Sequence, residues 1–285
     1  MEIELALVLC AAGGMVSGLL AGLFGIGGGL VVMPLLYACL PALGIDSAAV
    51  PKVAVATALA AMLPTSLSAT LSQHRRGAID WRWISRMAPA ALLGTAAGAL
   101  AATQLRGNTL SLLFAAYVCW CGASMLLPAA RLSPARPVAA RTPVAPPAAM
   151  SDAALALLVG TLGAGAGLGG GLVVVPYLLR RGVQMKHAVA NSTVLNLLIS
   201  AGGVLALSLL SALSASSASL ATSATHGAHG PAQWLLAGSI GVGAVAGAPC
   251  GVAWSHRLPV ERLRCCFGLV TLLAGASMLL GLGRA

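Results

Sequence analysis

Charge is scarce in this chain, and negative charge is nearly missing: of 285 residues, 6 are Asp or Glu against 16 Lys and Arg. The six carboxylates, Glu2, Glu4, Asp46, Asp80, Asp152 and Glu261, stand at the ends of apolar runs or between them. Cation pathways and proton relays through membranes generally need such groups within the spans. Their lack argues against a metal ion or an ammonium group as cargo. Other signatures are missing too. There is no phosphate-binding Walker loop, no nucleophile beside a base, and no Cys/His cluster with metal-ligand spacing, since Cys119-Trp120-Cys121 and Cys265-Cys266 have no partner histidines. An enzyme, an ATP-driven pump, a metal centre and a cofactor are therefore not expected. Before the first apolar run come Glu2 and Glu4 and no Lys or Arg, so the positive region of a cleavable signal peptide is absent and the run reads as a first span.

Apolar residues fill the space that charge leaves. With 59% hydrophobic residues and a mean hydropathy of +0.94, the chain has more apolar surface than one soluble core can hide. The reading is an all-α integral membrane protein in a lipid bilayer. A net charge of +10 could suggest nucleic acid as a partner, but the arginines lie in short gaps between apolar runs, where they set membrane orientation instead. The seven cysteines, nearly all within or beside apolar runs, read as small hydrophobes.

About 20 apolar residues cross a bilayer as a helix. On that measure residues 1–128 hold runs at 5–24, 29–40, 49–72, 84–104 and 108–128. Residues 151–285 repeat the order at 152–167, 170–180, 186–212, 231–254 and 261–282. Between these two membrane repeats, residues 129–150 form a Pro- and Arg-rich linker. The duplication is also written in the letters. Gly122-Ala-Ser-Met-Leu-Leu127 recurs at 275–280, and the same register pairs Gly94 and Gly98 with Gly247 and Gly251, a spacing that permits close helix packing.

The clearest repeat is Gly25-Ile-Gly-Gly-Gly-Leu-Val-Val-Met-Pro34 against Gly167-Leu-Gly-Gly-Gly-Leu-Val-Val-Val-Pro176, identical at eight of ten positions. Each glycine weakens a helix by about 1 kcal/mol relative to alanine, so three in a row predict a break. Non-helical backbone at membrane depth is tolerated only inside protein or beside a watery cavity. The runs that follow would rise only about 17–18 Å as helices, too short for a core of about 30 Å. Each half is thus a glycine-broken hairpin or half-helix pair followed by three transmembrane helices. Three crossings per half predict two inverted-topology repeats.

Charge tests the inversion. With the loop at 73–86 in the cytoplasm, chain order puts thirteen of the sixteen Lys and Arg on that side and leaves Lys52, Arg106 and Arg284 on the other. The central linker is then cytoplasmic and both termini are external, in a cell inner membrane.

A half-helix that starts at a break presents unpaired N–H groups and the positive end of its dipole, which favours an anion. Gly25, Gly27, Gly28 and Gly29, with Gly167, Gly169, Gly170 and Gly171, are the candidate binding backbone. Pro34 and Pro176 shape the half-helices or free a carbonyl for a ligand. The following spans pair Lys52-Val-Ala-Val-Ala-Thr57 with Lys186-His-Ala-Val-Ala-Asn191. Thr57, Asn191, Ser192 and Asn196 are therefore candidate contacts, and interhelical hydrogen bonding is the competing role. Ser192 and Asn196, four apart, share a helix face.

These residues carry a likeness to a known family. The paired Gly-x-Gly-Gly-Gly-x-(aliphatic)3-Pro segments, the Lys-(Val/His)-Ala-Val-Ala stretches and the arginine-bearing loop before Asp80-Trp81 resemble the TauE/SafE sulfite exporters. The resemblance implies a multi-pass inner-membrane transporter, an exporter of small anions such as sulfite, sulfoacetate or related organosulfonates. It assigns the two glycine segments with Pro34 and Pro176 to the site. The second copy departs at Ala166 for Phe24 and at Asn191 for Thr57, so the half-sites need not contribute equally. In the leading reading the repeats move around an anion held near the midplane. A channel-like anion pathway and a non-transporting scaffold or sensor are the alternatives, and a homo-oligomer is left open.

Overall fold

The computed structural model describes residues 3–46, 49–105, 107–126, 149–216, 231–257, 268–269, 271–273 and 275. The linker apart from 149 and 150, the tract at 217–230, nearly all of the last apolar run and the second hexapeptide beyond Gly275 lie outside the described residues. Every regular element among the described residues is an α-helix: α1 Ile3–Phe24, α2 Gly29–Ala42, α3 Val50–Arg75, α4 Trp81–Gln104, α5 Gly107–Leu126, α6 Ala149–Gly165, α7 Gly171–Arg180, α8 Met185–Ser216 and α9 Pro231–Ser255. Five of them contain stretches long and apolar enough to cross a bilayer, Leu7–Phe24, Val50–Arg75, Trp81–Gln104, Met185–Leu213 and Trp234–Ser255.

The short runs are short helices. At 1.5 Å per residue, the 14 residues of α2 rise about 21 Å and the 10 residues of α7 about 15 Å. Each turns back on the helix before it. Gly13 of α1 faces Leu35 of α2, and the Cys10 thiol reaches Cys39, so these helices run antiparallel. At the base of the second hairpin, Asp152 receives hydrogen bonds from Tyr177 Oη and from Arg181 Nη1, the latter paired at 2.9 Å. Asp152 is buried in the first turn of α6, where a lone carboxylate would be expensive and its arginine partner makes it tolerable. Of the hairpin and the broken two-part element that the sequence left open, the structure has the hairpin.

Glycine decides which helices touch most closely. Gly14, Gly18 and Gly22 of α1 face the carbonyls of Ile240, Ala244 and Ala248 in α9, and Gly243, Gly247 and Gly251 face those of Ala11, Met15 and Leu19 in return. The ascending order makes the two helices parallel. A Cβ at any of these glycines would run into the opposing carbonyl oxygen, so only glycine permits this approach. α4 and α6 pack in the same way, with Gly94 and Gly98 against Leu157 and Thr161 and Gly160 against Ala91. The pairing of Gly94 and Gly98 with Gly247 and Gly251 is thus a pairing of packing sites. Through the centre run α3 and α8, antiparallel, with Leu59 against Gly203 and Ser66 Oγ 3.4 Å from Ser200 Oγ.

Candidate functional site: two crossed glycine breaks

Both breaks are buried, and they meet. Gly29, which opens α2, lies against the Gly167-Leu168 backbone of the other break; Gly171, which opens α7, lies against Gly25-Ile26. In both places a side chain would strike backbone. Gly27 and Gly169 face the same two side chains, Met62 of α3 and Asn196 of α8. Positive φ angles at Gly25 (70°), Gly27 (79°), Gly28 (86°), Gly167 (65°) and Gly169 (76°) explain why these positions are glycine. Gly170 is different, with φ −94°.

That difference extends to the hydrogen bonds. In the second break, Gly169 N donates to Gly163 O at 3.2 Å, while Gly170 N and Gly171 N donate to Asn196 Oδ1 at 2.6 and 3.2 Å. In the first break, the N–H groups of Gly27, Gly28 and Gly29 have no hydrogen-bond partner among the described residues. The position on α3 that corresponds to Asn196 holds Met62, which accepts nothing of comparable strength. Buried backbone N–H groups are nearly always paired, so three consecutive bare ones mark a place where an acceptor is expected.

The carbonyls of the first break are held instead. Gly25 O accepts from Asn196 Nδ2 at 2.6 Å and from Ser192 Oγ at 2.9 Å, and Gly28 O accepts from Ser17 Oγ at 2.9 Å. Asn196 therefore bridges the breaks, donating to one and accepting from the other. These bonds give the carbonyl oxygens protein donors, while the Gly27, Gly28 and Gly29 amides are left without acceptors among the described residues. The surrounding side chains, Ser17, Met62, Thr65, Ser192 and Asn196, are all uncharged. Among the described residues no three His, Cys, Asp or Glu gather as a metal site.

The structure distributes the other candidates more widely. Pro34 and Pro176 are half-buried inside α2 and α7, where each lacks the N–H that would bond the carbonyl of Leu30 or Leu172. Thr57 is buried, but its hydroxyl returns to Val53 O of its own helix at 2.8 Å. Asn191 serves the loop between α3 and α4, where its Oδ1 accepts from Asp80 N at 2.8 Å. Ser192 and Asn196 share a face and both reach Gly25. Three residues with no part in the sequence reading, Ser17, Met62 and Thr65, complete the surroundings. Only the register that pairs Thr57 with Asn191, carried five residues further to Met62 and Asn196, could have pointed to one of them.

Residues 10–278 match the protein family described as Sulfite exporter TauE/SafE. A probable membrane transporter protein of Haemophilus influenzae is 29% identical over 198 residues, 70% of this chain and 72% of the relative. The probable membrane transporter protein YunE of Bacillus subtilis is 24% identical over 290 residues, spanning 96% of this chain and 98% of its own length. A third relative, from Xylella fastidiosa and also described as a probable membrane transporter protein, is 28% identical over 179 residues, 63% of this chain and 64% of its own length. No solved structure matches the chain.

Proposed function

The chain belongs to the Sulfite exporter TauE/SafE family of membrane transporters, and from that membership we propose that it exports small anions, foremost sulfite, sulfoacetate or a related organosulfonate, across the inner membrane. One observation carries the reading. Gly27, Gly28 and Gly29 present three buried N–H groups without protein partners at the start of a 14-residue helix. An oxyanion supplies the missing acceptors, and the positive end of the α2 dipole favours its charge. No cationic side chain is needed, so the anion is held without the tight ion pair that would oppose its release.

The inverted-repeat reading is supported by contacts that correspond between the halves: α1 on α9 and α6 on α4, Gly29 on Gly167 and Gly171 on Gly25. In this reading the arginine-bearing ends of α3, α4, α8 and α9 face the cytoplasm, and both termini face outward. Cysteine labelling tests it: position 141 should react only from the cytoplasmic side and position 220 only from outside, and labelling of both from one side refutes the inversion.

The anion site has a direct test in proteoliposomes loaded with sulfite, sulfate, thiosulfate, sulfonates or carboxylates. The variant Met62→Asn places an amide where Asn196 sits in the other half, within reach of the bare N–H groups. Flux of the preferred anion should fall at least about tenfold, the loss of one or more charge-assisted hydrogen bonds, while thermal stability holds or rises. Wild-type flux in this variant would remove the first break from the site.

A further inference from the structure

A second group of bare donors lies away from the breaks, at the ends of α3, α4 and α8 that carry Arg75, Arg82 and Lys186. Gln73 Nε2, Trp83 Nε1 and Asn191 Nδ2 are buried without hydrogen-bond partners, and their residues are 0%, 4% and 1% exposed. One hydrogen-bonded chain gathers them. Gln73 O accepts from Ala78 N, Ala78 O contacts His187 Nδ1 at 2.8 Å, Asn191 follows His187 by one helical turn, and Asn191 Oδ1 accepts from Asp80 N. Asp80 in turn caps α4, its Oδ1 accepting from Trp83 N at 3.2 Å. The Asp80 bond fixes which end of the Asn191 amide is the oxygen and leaves its nitrogen without a partner.

The partner of Gln73 Oε1 is His256 Nε2 at 3.0 Å, just beyond the end of α9. Burial, then the charges of Arg76, Lys186 and His187, hold the His256 pKa below its ordinary value. Gln73 Oε1 takes the contact with His256 Nε2, and Gln73 Nε2 has no partner. Arg76, Lys186 and His187 thus gather around His256.

The corresponding described residues of the opposite halves carry no such donors. In the register that pairs Thr57 with Asn191, Gln73 corresponds to Leu207; in the register that pairs Gly94 with Gly247, Trp83 corresponds to Leu236, while Trp81 meets its equal in Trp234. Leu236 is in the core, Leu207 packs against it half-buried, and Thr57 is satisfied by its own helix. At these three pairs of positions, the donors without acceptors are all on the side of Arg76 and Lys186.

We propose that Gln73, Trp83 and Asn191 form a second anion-binding station, in which their three N–H donors hold an oxyanion at the arginine-bearing mouth of the protein. Its use as an entry point rests on the anion-carrier reading, but its binding does not. A buried polar group with no partner is destabilising, and an anion at this place satisfies three at once. Arg76 and Lys186 raise the local anion concentration, and Trp83 reports occupancy.

The test uses the full chain in detergent, titrated with sodium sulfite under argon and with sodium sulfate, against sodium chloride at matched ionic strength, with tryptophan emission as the readout. The wild type should show a saturable change with sulfite or sulfate that Trp83→Phe abolishes. Gln73→Leu keeps the reporter and should weaken binding about tenfold or more, with a modest loss of thermal stability from the lost Gln73 Oε1–His256 bond. Asn191→Thr, the residue of the opposite half, provides a second variant. No saturable change in the wild type, or wild-type affinity in Gln73→Leu, overturns the station. Binding here without flux in proteoliposomes would sink the transport reading and leave the station standing; flux with no binding here would do the reverse.

Discussion

The two glycine loops share eight of ten residues, yet one is saturated and the other is bare. The second loop spends its amides on Asn196 and Gly163; the first leaves Gly27, Gly28 and Gly29 exposed to the crossing. Nothing within the loops explains the difference. It comes from the scaffold, where α8 offers an asparagine and α3 a methionine at matching positions. Duplicated backbone can thus be made to differ by a few side chains on neighbouring helices, one copy with its amides paired and its twin with them bare.

The largest expected effect comes from erasing that asymmetry at its source. Asn196→Met would make the two scaffold positions alike and remove three hydrogen bonds, those from Gly170 N, from Gly171 N and to Gly25 O. Each buried group left unpaired is destabilising by about 1–3 kcal/mol. A sharp drop in melting temperature and in folded yield on size exclusion should follow, and near-wild-type stability would show that Asn196 does not bridge the breaks.

Next in size is Gly28→Ala. Its φ of 86° forces alanine into the left-handed region, at about 1–2 kcal/mol, and the new Cβ meets Ser17 Oγ. Anion flux should fall severalfold with only a modest loss of stability. The smallest effect belongs to Gly170→Ala, whose φ of −94° suits alanine and whose Cβ meets only side chains, Val159 Cγ1 first and then Ile199 Cδ1, rather than backbone. Flux should stay close to wild type, and the paired change Gly170→Ala with Val159→Ala should recover any loss. Equal loss of flux in Gly28→Ala and Gly170→Ala would break the distinction between a bare loop and a saturated one.

Much of the architecture is legible in the letters, because hydropathy and glycine act locally. The ten apolar runs lie close to the nine helices described and to the last helical residues; the short runs give short helices; and the duplicated glycines fall at the crossing. What the letters conceal are contacts made at long range. Asn191 looks like the polar twin of Thr57, but its oxygen is taken by Asp80, 111 residues away. Ser17 reads as an isolated serine in an apolar helix until the chain returns Gly28 beside it. Met62 resembles any core methionine, and its meaning lies in the asparagine it is not. Gln73 and Trp83 sit beside a loop whose arginines read as orientation signals, and only the folded 76–80 turn links them to Asn191 through hydrogen bonds.

The glycine contacts between α1 and α9, and between α4 and α6, set a mechanical condition on any motion. Backbone there rests on backbone, with no side chain between to slide or re-rotamerise. Swinging the first half of the sequence against the second, as a simple repeat-on-repeat rocker would, must tear both seams. The helices locked at these seams, α1 with α9 and α6 with α4, come from opposite halves, and Gly29 on Gly167 with Gly171 on Gly25 locks the two breaks to each other as well. What must stay together in this protein therefore does not follow the line of its duplication.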